Sequence, residues 1–191
     1  MKNIVLASSS PRRKEILEKT GLSFIVDPSN FEENMDQNLE AKELVKTLSL
    51  GKAKDVAQRH PNSIIIAADV IITFEGKIFG KPKTKERTIE MLTEINGKCH
   101  SAITGFSIID TTNDKTVTKS VETKVYFRNL TAKEIENYVN SGESINCAGG
   151  YTIQGKGAML IRKIDGDYYN VLGLPLCELV VNLKDFGIKI L

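Results

Sequence analysis

The chain has 191 residues, of which 41% are hydrophobic, 26% are charged and none is Trp, a composition typical of a folded globular protein. Its 26 basic and 24 acidic residues leave a net charge of +2, which disfavours a protein that coats nucleic acid. No apolar run approaches the length of a membrane span, and the four-residue apolar run at the N-terminus is too short for a signal peptide. Cys99, Cys147 and Cys177 are widely spaced and lie outside any C-x-x-C motif, which predicts reduced thiols and a cytoplasmic protein.

Helices and strands alternate in the first half of the chain, and strands dominate its middle. The patterns predict strands at Ile4–Ala7, Phe24–Val26, Ser63–Phe74, His100–Asp110 and Thr116–Arg128, and a hairpin of Ala158–Ile164 with Tyr168–Leu172. They predict helices at Pro11–Thr20, Leu39–Arg59, Lys85–Ile95, Thr131–Ser141 and Pro175–Leu183. Residues 28–38 have no period, and residues 147–157 are rich in glycine, so both are expected to be loops. This order of elements predicts an α/β fold with a mixed central sheet flanked by helices.

Three serines join the first strand to the first helix, with Ser10 placed as the helix N-cap before Pro11. Backbone N–H groups converge at such a turn with the helix dipole behind them. Arg12 and Arg13 add guanidinium groups, which suit phosphate oxygens. The turn therefore predicts a phosphate site with Ser8, Ser10 and both arginines as candidate ligands. A capped helix with a solvated arginine pair is the alternative.

Asp69 stands inside the most β-rich run of the chain, where a carboxylate is costly unless it is paired, hydrogen-bonded or bound to a metal. It is a candidate general base or metal ligand. The alternatives are an ion pair with a nearby lysine or arginine, or a strand that ends at Asp69 and faces a cleft. Glu32 and Glu33 lie in a predicted loop and offer a second carboxylate. Two or three oxygen ligands with open positions suit Mg²⁺ held jointly by protein and substrate phosphates.

Lys81 precedes a proline, which restricts its backbone and the direction of its side chain, so it is a candidate phosphate ligand. Gln154 lies in the glycine-rich loop and offers an amide for recognition of a base. The same loop nearly matches a P-loop, but Gly157 stands where that motif needs Ser or Thr. A nucleophilic Cys147 paired with one of the two histidines is a rival chemistry that lacks a thiol-protease context.

Taken together, these motifs resemble those of the Maf family of nucleoside triphosphate pyrophosphatases, also called septum-formation inhibitors. The resemblance runs almost from end to end. It rests on Leu6-Ala-Ser-Ser-Ser-Pro-Arg-Arg-Lys-Glu-Ile-Leu17, Gly51-Lys52-Ala53, Ala67-Ala-Asp69, Gly80-Lys81-Pro82, Ile153-Gln-Gly155 and Gly173-Leu-Pro175.

The resemblance implies one domain over residues 1–191, in two lobes that share an active-site cleft, with a fold related to inosine triphosphatases. It implies a homodimer that binds a nucleoside triphosphate and hydrolyses it to a monophosphate and pyrophosphate with a divalent metal, Mg²⁺ or Mn²⁺. Asp69 matches the family's proton acceptor and a metal ligand, and Glu33 matches its acidic loop partner and the second metal ligand. Ser8, Arg12, Arg13, Lys52 and Lys81 match its phosphate-handling residues.

The choice of base is expected to depend on Arg12, Val70 and Gln154. Family members that act on dTTP and UTP often carry Thr where this chain has Val70. The glycine-rich loop of this chain begins Cys147-Ala-Gly, which resembles a branch of the family that acts on 7-methyl-GTP. Ile153-Gln154-Gly155 departs from that branch, so pyrimidine triphosphates are favoured and modified purines remain an alternative. A nucleotide-binding regulator of septum formation that acts through a protein partner is a second alternative. Near-neutral charge and the lack of an aromatic stacking motif disfavour an RNA-binding module.

Overall fold

A computed structural model describes residues 2–34 and 39–191, and the predicted mixed α/β class is confirmed. The strands are β1 Asn3–Leu6, β2 Ile25–Val26, β3 Ser63–Phe74, β4 Lys77–Phe79, β5 Cys99–Asp110, β6 Lys115–Phe127 and β7 Ile161–Asp165. The helices are α1 Pro11–Glu18, α2 Ala41–Ala57, α3 Lys85–Ile95, α4 Ala132–Asn140, α5 Tyr168–Val171 and α6 Leu176–Leu183, with short 3₁₀ helices at Ala148–Gly150, Gly155–Leu160 and Lys184–Phe186. In the described part of the chain the strands form one sheet in the order β2-β1-β3-β5-β6-β7, with β4 paired to β3.

The N-terminal part of the sheet is parallel. Strand β1 pairs with β2 on one side and with β3 on the other, where Leu6 lies opposite Ile66. Strand β3 is a continuous apolar run that is buried along most of its length, as expected for a strand covered on both faces. Because β1 and β3 are parallel, the residues that follow Leu6 lie beside those that follow Ile66, and the bond from Ala7 N to Ile66 O (2.8 Å) extends the pairing. This register places the serine turn, where β1 ends, beside the middle of β3, which contains Asp69.

Two further pairs of strands, β3 with β4 and β6 with β7, are antiparallel. Strand β4 returns along the end of β3, with Ile72 opposite Phe79, and β7 pairs with β6, with Val125 opposite Ile164. Strands β5 and β6 are neighbours joined by a turn at residues 111–114. The sheet is therefore mixed, as the order of predicted elements indicates.

The chain divides into two compact units, and each has its own apolar core. The first contains Met1–Asp69, Thr104–Val121 and Leu172–Leu191, and the second contains Val70–Ile103 and Glu122–Val171. One core of the first unit lies between β1, α2 and β3, around Val5, Ala53 and Ile65. The core of the second unit contains α3 and α4, with Leu92, Phe127 and Tyr138 among its buried side chains. The organisation of residues 1–191 as one domain stays a prediction.

Most predicted elements appear within two residues of their predicted bounds. Strand β3 and helix α3 have the predicted bounds, and α4 begins with the predicted capping box of Thr131 and Glu134. Of the loop predicted at residues 28–38, residues 28–34 form no helix or strand, and 35–38 lie outside the described residues. No helix in the described ranges combines the length and the apolar character needed to cross a bilayer.

The hairpin predicted at Ala158–Leu172 is wrong. Residues Gly155–Leu160 form a 3₁₀ helix, β7 pairs with β6 instead, and Tyr168–Val171 is a short helix. Asp167 accounts for the last difference, because its Oδ1 accepts the N–H of Tyr169 (2.7 Å) and so turns the chain into a helix.

Candidate functional site

The ammonium group of Lys52 lies between two carboxylates. Its Nζ is 2.7 Å from Glu33 Oε1 and forms a second ion pair with Asp69 Oδ2. The Lys52 and Asp69 side chains are only 12% and 9% exposed, whereas that of Glu33 is 43% exposed. Helix α2 supplies the lysine, the middle of β3 supplies Asp69, and the segment after β2 supplies Glu33. Two predicted metal ligands and one predicted phosphate ligand are thus brought together.

The ion pair resolves how a carboxylate is tolerated inside β3. The strand does not end at Asp69 but continues to Phe74, so the alternative in which Asp69 follows the strand is wrong. The partner is Lys52, whose charge and hydrogen bond offset the desolvation of the buried carboxylate. A structural ion pair and a catalytic role are compatible here, because the same carboxylate is held in a fixed place by its partner.

The serine turn that follows β1 is built around Ser8 and Arg13. The Ser8 hydroxyl is buried, and its Oγ accepts hydrogen bonds from Ser10 N (3.2 Å) and Arg13 Nη1 (3.1 Å). Arg13 Nε donates to Gly173 O at 2.8 Å, which fixes the guanidinium plane. Ser10 does occupy the N-cap position of α1, with Pro11 as the first helical residue, but its side chain makes no capping hydrogen bond. The predicted N-cap position of Ser10 is confirmed, and the side-chain hydrogen bonds of the turn are made by Ser8.

Arg13 belongs electrostatically to the same cluster as the two carboxylates. Desolvation of the half-buried guanidinium lowers its pKa, while the charges of Asp69 and Glu33 act in the opposite direction. Arg12 is close enough for its charge to lower the pKa of Arg13 further. Arg13 therefore lies within electrostatic range of both carboxylates and of Arg12.

The donor set of this cluster fits a hard divalent cation. Glu33 and Asp69 direct one oxygen each at a single positively charged atom, Lys52 Nζ, so two hard oxygen donors converge on one point. Among the residues that the structure describes, no group of three or more His, Cys, Asp or Glu side chains is placed to hold a metal. The chain would thus supply two ligands, and substrate phosphates and water would supply the others.

The second unit carries the other candidate residues. Lys81 and Gln154 are exposed, and Val70 is half-buried directly after Asp69. The segment of Lys81 contacts the glycine-rich loop, because Gly149 N donates to Gly80 O at 3.0 Å. Gly149 has a φ of +70°, and a Cβ there would lie 2.7 Å from Ile72 Cγ1, so this position needs glycine.

Sequence reasoning did not single out Glu143, which holds the loop that carries Gln154. Its Oε2 accepts the N–H groups of Lys156 (2.9 Å) and Gly157 (3.3 Å), and no local pattern indicates this contact. The thiol of Cys147 donates to the Glu143 carbonyl at 3.3 Å. The rings of His60 and His100 bond Asp27 and Tyr151, so these hydrogen bonds do not support a Cys–His nucleophile.

Comparison with known proteins matches nearly the whole chain. The dTTP/UTP pyrophosphatase of Methanococcoides burtonii is 48% identical over 191 residues, 100% of this chain and 98% of that protein. Proteins of the same name from Bacillus anthracis and Bacillus pumilus are 45% and 41% identical, covering 100% and 98% of this chain and 98% of each relative. The solved structure of the Staphylococcus aureus Ham1 protein aligns with a TM-score of 0.48 and 16% identity over 66% of this chain and 72% of that one. Residues 3–186 match the family model described as Maf-like protein, and the chain therefore belongs to the Maf-like family.

Proposed function

We propose that this protein is a nucleoside triphosphate pyrophosphatase that hydrolyses dTTP and UTP to the monophosphate and pyrophosphate. The observation that carries the proposal is the convergence of Asp69 and Glu33 on Lys52, where β3 lies beside the Ser8–Arg13 turn that follows β1. A protein that only bound phosphates would gain nothing from two carboxylates beside its cationic groups. Full-length relatives that are 41–48% identical are dTTP/UTP pyrophosphatases, which supports the same reaction.

In the reaction we propose, Asp69 orients a water molecule and accepts its proton. The water oxygen bonds to the α-phosphorus, the bond from that phosphorus to the α–β bridging oxygen breaks, and pyrophosphate leaves with the electron pair of that bond. Arg12, Arg13 and the N–H groups of the serine turn bind the phosphate oxygens and stabilise the charge that develops on them. Lys52 keeps the two carboxylates directed at one point.

Asp69 and Glu33 would hold the divalent metal, which when bound neutralises phosphate charge and polarises the phosphoryl oxygens. Hard oxygen donors favour Mg²⁺ or Mn²⁺ over softer metals. The identity of the metal, the homodimer and the cytoplasmic location stay predictions.

We propose that Gln154, Val70 and Arg12 determine the preference for pyrimidines. Gln154 is exposed in a loop fixed by glycine contacts, so its amide is available to a base edge. The relatives named above act on dTTP and UTP, which favours pyrimidines over 7-methyl-GTP and other modified purines.

Substitution of Asp69 by Asn tests the proposal. Loss of the general base should lower turnover of dTTP and UTP by about 100- to 10,000-fold. The amide oxygen can still accept from Lys52, so the fold should persist in thermal unfolding. The exposed Asp165, replaced by Asn in the same way, is the matched control and should retain full activity.

A panel of ordinary and modified triphosphates with identification of the products completes the test. Monophosphate and pyrophosphate are expected, and orthophosphate with a diphosphate would refute cleavage between the α and β phosphates. Tight nucleotide binding without turnover, unchanged in Asp69→Asn, would instead indicate the regulator of septum formation.

A further inference from the structure

One stripe of helix α2 contacts the segment that carries Glu33. Gly51, Asp55 and Arg59 are spaced four residues apart, so they lie on one face of the helix and its C-terminal extension. Residues 27–33 run along this stripe in the opposite direction. The beginning of the segment contacts Arg59, its middle contacts Asp55, and Phe31 contacts Gly51. The register of the segment on the helix is therefore set at several points.

Arg59 holds the beginning of the segment. Its Nε donates to Asp27 Oδ2 at 2.7 Å, and its Nη2 donates to Pro28 O at 2.8 Å. His60 adds a bond of 2.6 Å between its Nε2 and the same Asp27 oxygen. These contacts fix the chain where it leaves β2.

Asp55 holds the middle of the segment. Its Oδ2 accepts the hydroxyl of Ser29 and the N–H of Asn30, both at 2.9 Å. The hydrogen bond from Asn30, followed by that from Ser29, keeps the pKa of Asp55 below its ordinary value, so the acceptor stays ionised. Ser29 Oγ in turn accepts the N–H of Phe31 at 3.0 Å, which turns the next residue towards the helix.

The ring of Phe31 packs against the backbone of Gly51. A Cβ on Gly51 would lie 2.7 Å from Phe31 Cε1 and closer still to Cε2 and Cζ, so the ring occupies the space of the missing side chain. Glycine is unfavourable in the middle of a helix, and this contact gives the reason for its presence. The residue after Gly51 is Lys52, and two residues after Phe31 comes Glu33, 2.7 Å from the lysine Nζ.

We propose that Gly51 is a positioning residue: by admitting the Phe31 ring against α2, it sets the position of Glu33 relative to Lys52 and Asp69. The inference rests on the proposed function, because the position of Glu33 matters for activity only if Glu33 and Asp69 act together in the site. Asp55 and Arg59 act in the same way, at points farther from the carboxylates. Nothing in the reaction requires Gly51 itself to touch substrate.

Gly51→Ala is the direct test. The added methyl displaces the ring and with it Glu33, and a shift of about 1 Å in such a group lowers kcat by roughly 10- to 100-fold. The Mg²⁺ concentration for half-maximal activity should rise about tenfold as the second carboxylate is misplaced. Amide hydrogen exchange at Asn30 and Phe31 should accelerate in the protein without substrate or metal, while the thermal midpoint is maintained because Ala favours the helix.

A double-mutant cycle separates positioning from a general structural role. If Gly51 acts through Glu33, adding Gly51→Ala to Glu33→Gln should cost less than twofold in kcat. Adding Phe31→Leu to Gly51→Ala should recover a large part of the lost activity, because the smaller side chain leaves room for the methyl. Lys54→Ala, an exposed substitution on the same helix, is the matched control and should change neither exchange nor activity.

Two results would overturn the inference. One is unchanged kcat and unchanged exchange in Gly51→Ala, and the other is a full additional loss in the Glu33→Gln background. An inactive parent protein whose amides at Asn30 and Phe31 exchange faster in Gly51→Ala would refute the proposed function and support the positioning role. An active parent protein whose kcat and amide exchange are unchanged by Gly51→Ala would support the proposed function and refute the positioning role.

Discussion

His100 is a buried imidazole that the folded protein keeps uncharged. It is 2% exposed, its Nε2 lies 2.8 Å from the Tyr151 hydroxyl, and it packs edge-on against Phe127 with ring centroids 4.9 Å apart. Within the described residues its Nδ1 has no hydrogen-bond partner, so the tautomer with Nε2–H donating to Tyr151 leaves only an acceptor unsatisfied. Burial lowers the pKa of His100 to about 4.

This depressed pKa predicts a loss of stability in mild acid. Between about pH 4 and pH 6.5 the unfolded chain binds a proton that folded His100 does not, so the free energy of unfolding falls as the pH drops, by up to about 3 kcal/mol. His100→Gln should be less stable at neutral pH but should lose most of this drop, measured by urea unfolding across the interval. Tyr151→Phe keeps the ring that buries the imidazole and should retain the drop. Equal slopes for the parent and His100→Gln would contradict the explanation.

At the scale of elements, the 3₁₀ helix Gly155–Leu160 depends on a cap from outside its own segment. Gln154 precedes it without a side-chain capping bond, and the carboxylate of Glu143 takes the N–H groups of Lys156 and Gly157 instead. A Cβ on Gly155 would lie 2.9 Å from the same Glu143 oxygen, so the loop encloses the carboxylate closely. Gln154 is held at the edge of this arrangement.

Glu143→Ala is therefore expected to loosen the loop that presents Gln154. Two backbone donors lose their acceptor, which should lower the free energy of unfolding by about 1–2 kcal/mol and speed amide exchange at Lys156 and Gly157. KM for dTTP should rise more than kcat falls, because base recognition is affected before the chemistry. Glu143→Gln keeps an acceptor oxygen and should recover most of both effects. Glu136→Ala, an exposed acid paired only at 3.4 Å with Lys133, is the control, and an equal effect there would argue against a specific cap.

For the molecule as a whole, the elements that the sequence predicts well are those determined by local patterns. Strand β3 has the predicted bounds because its apolar run is continuous, and α4 begins where Thr131 and Glu134 form a capping box. The segment after Gln154 was predicted wrongly because its conformation depends on Glu143, which is not a neighbour in sequence. Local periodicity contains no information about such a contact.

In the candidate site, too, local sequence patterns indicate some features, whereas others depend on contacts between residues that are distant in the sequence. The residues can be identified by type, since a carboxylate in an apolar strand and arginines at a helix start are evident from the amino-acid sequence. Their connections cannot, because spacing along the chain does not reveal that Lys52 bridges Glu33 and Asp69. Gly51 offered a usable signal, since glycine within a helical pattern indicates a close contact.

Metal removal is expected to abolish activity, because the proposed reaction uses a divalent cation. It is expected to leave the fold intact, because the carboxylates that would hold the cation already have a counter-ion in the protein. Lys52 already neutralises part of the charge of Glu33 and Asp69, so folding does not require a divalent cation at these carboxylates. Excess EDTA should stop turnover, and Mg²⁺ should restore it, while the thermal midpoint by calorimetry moves by less than about 2 °C. In Lys52→Met the two carboxylates lose their internal counter-ion, so the midpoint should become sensitive to EDTA. A large fall of the parent midpoint in EDTA would show instead that the cation is structural.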